Sequence, residues 1–255
     1  MERKPAASGT PSGSLRDRAY AHIQREIAAG ELRPETAISE VILAKELKMS
    51  RTPVREAINQ LVAEGLLEQT PNRGTLVVRL QRQDVVELYE LREALEVYAV
   101  RKASGLTLRA LDLERWEEYS GQILQLRKEL QKSGKKTLTT EQMRRFVASD
   151  LNFHNMLMRM CVNARILKVL NDTRLLIRIF GIERPEYDAA TLDRIYKQHT
   201  AIISAVKNHD VEAAAELLNR HIRTSLEERL QAYDHWEREQ SFQKGMPDYF
   251  ATTNH

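Results

Sequence analysis

Residues 36–74 read TAISEVILAKELKMSRTPVREAINQLVAEGLLEQTPNRG, and this stretch decides the fold. Ser39 offers a side-chain oxygen to cap a helix running through Leu47, with Ile42, Leu43 and Leu47 expected to face inward. Lys48-Met49-Ser50 breaks that helix, and a further one follows over about residues 52–64. Pro53 falls in its first turn, where a missing N–H costs nothing, and Gly65 ends it. Two extended stretches, 67–70 and 75–79, flank Pro71-Asn72-Arg73-Gly74, a turn that supplies both a fixed and a positive φ. Upstream, Leu15, Ala19, Ile23 and Ile27 recur at helical spacing, and Gly30 stops the pattern. Helix, helix, helix, hairpin over residues 15–79 is the outline of a winged helix-turn-helix, whose second paired helix enters the DNA major groove.

The chemistry at the start of that helix sharpens the outline. Arg51 and Arg55 are four apart and share a face. Ser50 and Thr52 place hydroxyls at the helix N-terminus, where free N–H groups and the dipole favour phosphate. An arginine can also read guanine through its O6 and N7, and Arg73 at the hairpin tip can reach a neighbouring groove or phosphate. Residues 36–74 closely resemble the DNA-binding domain of the GntR family of bacterial transcription regulators. Leu43-Ala44, Ser50-Arg51-Thr52-Pro53-Val54-Arg55-Glu56-Ala57, Glu64-Gly65-Leu66 and Asn72-Arg73-Gly74 follow one another at the family's spacing. The resemblance implies binding to double-stranded operator DNA through Ser50, Arg51, Thr52, Val54 and Arg55, with Arg73 and Gly74 as the wing.

The chain has 255 residues, 42% hydrophobic and 29% charged, with only 10 Gly and 7 Pro, which excludes collagen-like and low-complexity classes. Its single cysteine, Cys161, rules out an internal disulfide or a cysteine-rich zinc site and points to a reducing, cytoplasmic setting. No run of about 18 apolar residues exists, and the opening MERKPAASGTPSGS lacks a secretory core, so no membrane partner is expected. Residues 1–13 read as a disordered tail. A net charge of +3 is too small to argue nucleic-acid binding from bulk charge.

Beyond residue 80, Gly and Pro thin out. Amphipathic stretches follow over about 83–104, 107–132, 140–161, 164–181, 191–208 and 210–238, an all-α antiparallel bundle. The expected organisation is thus mainly α: a winged helix-turn-helix at 14–80, a helical domain at 81–240 and a flexible tail at 241–255. Three of the seven histidines interrupt apolar stripes. The inward series are Val147, Asp150, His154, Leu157, Cys161, then Ile195, His199, Ile202, Val206, then Leu217, His221, Ser225. Burying Asp150, His154, His199 and His221 unpaired would cost several kcal/mol, so they should meet one another or a cation. Asp150 and His154, at i and i+4, can bind one metal from one helix face, and one carboxylate with three imidazoles suits zinc, nickel or manganese. His22, His209, His235 and His255 read as surface, turn, surface and tail.

Residues 84–232 resemble the FCD effector domain of the FadR-type branch of that family, through Leu91-Arg92 with Glu96, Asp150-Leu151-Asn152-Phe153-His154, Asn163, His199 with Ala205, Asp210 with Ala213, and His221. The resemblance assigns the metal to Asp150, His154, His199 and His221, and six helices rather than seven point to the VanR-like subgroup. It implies a homodimeric repressor whose effector, a small organic acid, completes the metal shell with its carboxylate. Arg92 is the foremost arginine for the effector, with Arg174 and Arg178 sharing a face of the fourth bundle helix. Two competing readings are a metal-dependent hydrolase, for which no further buried Glu or Asp offers a general base, and a DNA-binding protein with a purely structural metal.

Overall fold

The computed structural model describes residues 13–29, 31–179 and 187–245, with side chains left aside at 28–29, 171–172, 174–179 and 240–245. The terminal stretches expected as tails lie largely outside these residues. The chain divides into two compact units between Leu80 and Gln81.

The first unit runs α1 (Leu15–Ala29), β1 (Ala37–Ile38), α2 (Glu40–Glu46), α3 (Arg51–Ala63), β2 (Leu67–Thr70) and β3 (Gly74–Val77). Ser39 caps α2, its hydroxyl accepting from the Ile42 N–H at 3.3 Å. Lys48 turns the chain between α2 and α3 through a φ of 52°. The core is Ala19, Ile23 and Ile27 of α1 with Val54, Ala57, Ile58 and Leu61 of α3, and Leu43 and Ala44 of α2 are buried with them. Ile42 departs from expectation: it is 66% exposed. Successive helical residues turn by about 100°, and the inward direction of α2 falls between Leu43 and Ala44, which carries Ile42 out to solvent.

The sheet is antiparallel in the order β1-β3-β2, with Leu67 opposite Val77 and Thr70 opposite Gly74. The turn uses φ of 63° at Asn72 and 79° at Gly74, values that suit Asn and Gly. β1 was not expected from sequence; two residues are too few for strand alternation to show, and pairing of Ala37 with Leu76 creates it.

The second unit is built from six helices among the described residues: α4 (Arg82–Ser104), α5 (Ala110–Ser133), α6 (Thr140–Met160), α7 (Ala164–Ile179), α8 (Ala189–Lys207) and α9 (Val211–Gly245). Their starts are written in local capping. Thr139 and Gln142 cap each other reciprocally at α6. Asn163 Oδ1 accepts from the Arg165 and Ile166 amides at α7, and Asp188 Oδ1 from the Thr191 amide at α8. α9 continues to Gly245, past the end expected near 238. α4 packs on α9 and α6, and α5 packs on α6 and α8. One core cluster joins Ile123, Leu126 and Leu130 of α5 to Phe146 of α6 and Leu192 and Ile195 of α8.

Candidate metal centre and nucleic-acid interface

α6, α8 and α9 each send one fully or nearly fully buried histidine to the same point: His154, His199 and His221. Asp150, one turn before His154, completes the group, and one ligand atom from each of the four lies within 4.8 Å of all the others. His221 Nε2 stands 3.3 Å from both His199 Nε2 and His154 Nε2. Asp150 Oδ1 is 3.6 Å from His199 Nε2 and 3.8 Å from His154 Nε2. Asp150 itself is a third exposed at its side chain rather than buried with the histidines, so it forms the open rim of the cluster.

The opposite sides of two rings explain why these nitrogens turn lone pairs toward one another. His154 Nδ1 lies 2.7 Å from Glu96 Oε2, and His221 Nδ1 lies 2.9 Å from Gln198 Oε1. Both partners are acceptors, so each Nδ1 carries the proton and each Nε2 presents a lone pair. Burial, then the neighbouring His154 and Arg92, hold the His221 pKa well below its ordinary value and keep the ring neutral. Lone pairs converging at 3.3 Å repel unless a positive ion lies between them. With zinc–nitrogen bonds of about 2.0–2.1 Å, neighbouring donors of a tetrahedron stand about 3.4 Å apart, close to the spacings here. The donor set therefore fits a divalent metal.

Glu96 is the residue that sequence reasoning passed over as a site member. It is fully buried on α4 and accepts from Arg92 Nε at 3.0 Å while orienting His154. Its two oxygens are thus engaged by a cation and an imidazole, which offsets its desolvation and leaves it unsuited to act as a free general base. Arg92 is likewise buried, 4.8 Å from the centroid of the Tyr89 ring. Burial alone would lower its pKa, but the carboxylate of Glu96, with Tyr89 and Asp150 behind it, raises it. The signal that could have found Glu96 was its i+4 spacing from Arg92. Glu96→Gln is expected to lower zinc affinity about 10- to 100-fold, since partners of metal-bound histidines act on that scale. Competition with a chromophoric chelator measures this, and an unchanged affinity would refute the role.

His199 is held differently. Its ring stacks on Phe153 at 3.6 Å between centroids and 3° between planes, and Phe153 stacks in turn on Trp116 at 5.2 Å. Trp116 Nε1 donates to the Phe153 carbonyl at 2.9 Å, which fixes the stack to the α6 backbone. Arg174 and Arg178 belong to α7, and their side chains lie outside the described residues.

On the winged unit, Ser50, Arg51, Thr52 and Arg55 are all exposed at the start of α3, and Arg73 and Gly74 are exposed at the hairpin tip. Ser50 is the helix N-cap, and its hydroxyl makes no capping bond. Val54 is a correction: it is wholly buried, because it projects onto the face that α3 turns toward α1, and it belongs to the core rather than to a DNA contact. Arg51 and Arg55 meet on a common partner that was also not anticipated, Glu40 of α2.

Residues 15–77 match the family model described as "Bacterial regulatory proteins, gntR family", and residues 87–224 match that of the "FCD domain". The chain is 32% identical over 200 residues to the "Probable D-xylose utilization operon transcriptional repressor" of Paenarthrobacter nicotinovorans, covering 78% of this chain and 82% of that one. Among solved structures it is similar in fold to E. coli McbR/YncC, with a TM-score of 0.68, 21% identity and coverage of 87% and 99% of the two chains. A putative GntR transcriptional regulator from Rhodococcus sp. RHA1 is similar at a TM-score of 0.67 and 21% identity, covering 87% and 100%. No helix among the described residues is long and apolar enough to cross a membrane. The matched families are DNA-binding regulators, not enzymes. The chain belongs to the GntR family of bacterial transcription regulators and carries a C-terminal FCD domain.

Proposed function

We propose that this regulator is a cytoplasmic, homodimeric repressor of the VanR-like subgroup that holds zinc in its helical unit and loosens from operator DNA when a small organic acid binds there. The observation that carries the reading is the convergence of three buried Nε2 atoms with the half-open Asp150. Three imidazoles and a carboxylate hold the ion, and the exposed side of Asp150 leaves an approach by which a ligand carboxylate can join. In that role zinc supplies a Lewis-acidic anchor for the carboxylate. Operator contact is assigned to Ser50, Arg51, Thr52 and Arg55 of α3 with Arg73 and Gly74 of the wing. The six helices of the second unit support the subgroup, and the repressor name of the Paenarthrobacter relative supports the direction of control.

The ground around the ion favours an anion. Tyr89 is a buried phenol whose burial would raise its pKa, yet the cations of Arg229 and Arg92 lower it. Arg92 spends Nε on Glu96 and keeps its two Nη groups. Arg229, two turns beyond His221 on α9, has a buried Nη1 with no hydrogen-bond partner. Both are candidates for the rest of the effector. Arg174 and Arg178 remain further candidates by their place on α7.

A ligand can change operator affinity only by favouring one state of the DNA-binding form, and the effect is reciprocal. α4 starts two residues past Leu80 and carries Arg92 and Glu96, which makes it the covalent route between effector and winged unit. The test titrates a panel of small carboxylates against zinc-loaded and chelated protein bound to a duplex selected from a random pool. An effective acid is expected to weaken duplex binding about 5- to 150-fold, and the duplex to weaken acid binding by the same factor. Duplex release that is indifferent to chelation would leave the metal a purely structural role and overturn the proposal.

A further inference from the structure

We infer that Glu40 is a specificity-determining residue of the DNA-binding surface: its carboxylate restrains Arg51 and Arg55 so that they serve one base arrangement instead of any nearby phosphate. The inference rests on the reading of α3 as the DNA-contacting helix. Glu40 is the first residue of α2, and its side chain lies between the two arginines. Oε2 accepts from Arg51 Nη2 at 3.0 Å and from Arg55 Nη2 at 3.0 Å, and Oε1 accepts from Arg55 Nε at 3.0 Å. The capping of α2 does not need this carboxylate, because Ser39 performs it.

A negative charge between two DNA-facing cations repels phosphate and lowers binding to any sequence. As an exposed ion pair it contributes little stability in return. What it does supply is position. An arginine tail explores many rotamers, and each one near the DNA backbone finds a phosphate; a tethered guanidinium finds only what lies in its own line. The tether is also unequal. Arg55 gives Glu40 its whole Nε/Nη2 edge, which fixes both the height and the plane of the guanidinium. Arg51 gives a single Nη2 N–H and keeps the other, which together with the adjacent Nε–H or Nη1–H makes a two-donor edge, enough for a bidentate bond to guanine O6 and N7. Arg51 is thus assigned the base and Arg55 the fixed phosphate contact beside it. Glu40 keeps the two from exchanging roles or both falling on the backbone. Its own carboxyl pKa is held below the ordinary value, first by the Arg55 hydrogen bond, so the tether stays charged.

The experiment uses the full zinc-loaded chain and two probes: the duplex that the wild type selects from a random pool, and a scrambled duplex of the same composition. Binding is followed by fluorescence anisotropy over a salt series for wild type, Glu40→Gln, Arg51→Gln and the double variant, with melting curves to confirm that each is folded. In Glu40→Gln the selected-to-scrambled affinity ratio is expected to fall about tenfold or more, with tighter scrambled binding and a salt slope steeper by about one. In the Arg51→Gln background the same change should move the ratio by less than about twofold, because its action passes through Arg51. A Glu40→Gln ratio equal to wild type overturns the inference, as does a fall that persists undiminished without Arg51. If Arg51→Gln itself binds the selected duplex like wild type, the reading of α3 fails first. A loss there with an unaltered Glu40→Gln leaves α3 in place and removes only the role of Glu40.

Discussion

His221→Ala is expected to lack the zinc-dependent rise in melting temperature that is expected of the wild-type protein. His221 Nε2 is the hub of the cluster, 3.3 Å from each of the other two imidazoles, so its loss removes the donor that both neighbours share. An ion bound only by the folded chain stabilises it by about 2.7 kcal/mol at a hundredfold excess over its dissociation constant. For a domain of this size that corresponds to about 5–10 °C. The comparison is between the zinc-dependent increments of variant and wild type, which separates metal loss from the cavity that alanine leaves. Acid should act in the same direction. The His221 pKa is lowered on folding, so between that value and the ordinary range near 6.5 the unfolded chain binds a proton that the folded chain refuses. Stability therefore declines as the pH falls below about 6.5, and protons displace the metal over the same window. An undiminished zinc increment in the variant would show that the cluster does not bind the ion.

Trp116→Ala is expected to destabilise the helical unit by about 3–5 kcal/mol, the range for removing a large aromatic from a core. Trp116 is completely buried, stacked on Phe153 and hydrogen-bonded to its carbonyl. Its removal does more than open a cavity. Phe153 loses the surface that backs it, and His199, lying flat on Phe153, loses the wall that sets its ring plane. Zinc affinity should fall along with stability, because the effect reaches His199 through Phe153. Trp116→Phe should retain most of the stacking and lose chiefly the indole hydrogen bond, at a cost of about 0.5–1.5 kcal/mol. Urea denaturation with and without zinc reads both effects. A Trp116→Ala protein within about 1 kcal/mol of wild type would mean that the stack carries little of the core.

What the sequence could tell about this protein was whatever a single helix turn or a single turn motif decides. Arg51 and Arg55 share a face, Asp150 and His154 share a face, and Ser39 and Asn163 start helices, because each relation spans only three or four residues and the helical period places it. The winged outline was legible for the same reason: its punctuation by Pro53, Gly65, Asn72 and Gly74 is local chemistry. Periodicity gives a stripe, but it does not say how far a helix rotates against its neighbours. Ile42 shows the consequence, turned out to solvent against the inward expectation, and family resemblance does not give rotation either, since the Val54 it placed at the DNA is sealed in the core. Family resemblance could name the metal set, but not the orientation of its rings. Only packing in three dimensions decided that Glu96 reaches His154 across 58 residues of chain and that Trp116 backs the ring of His199 through Phe153. Glu40 meets Arg51 and Arg55 from 11 and 15 residues away by the same means. Beyond the i+4 spacing of Glu96 from Arg92, such partners carry no mark in the sequence, since a buried carboxylate and an exposed one are spelled alike. Burial distinguishes them, by making an unpaired charge too costly to keep.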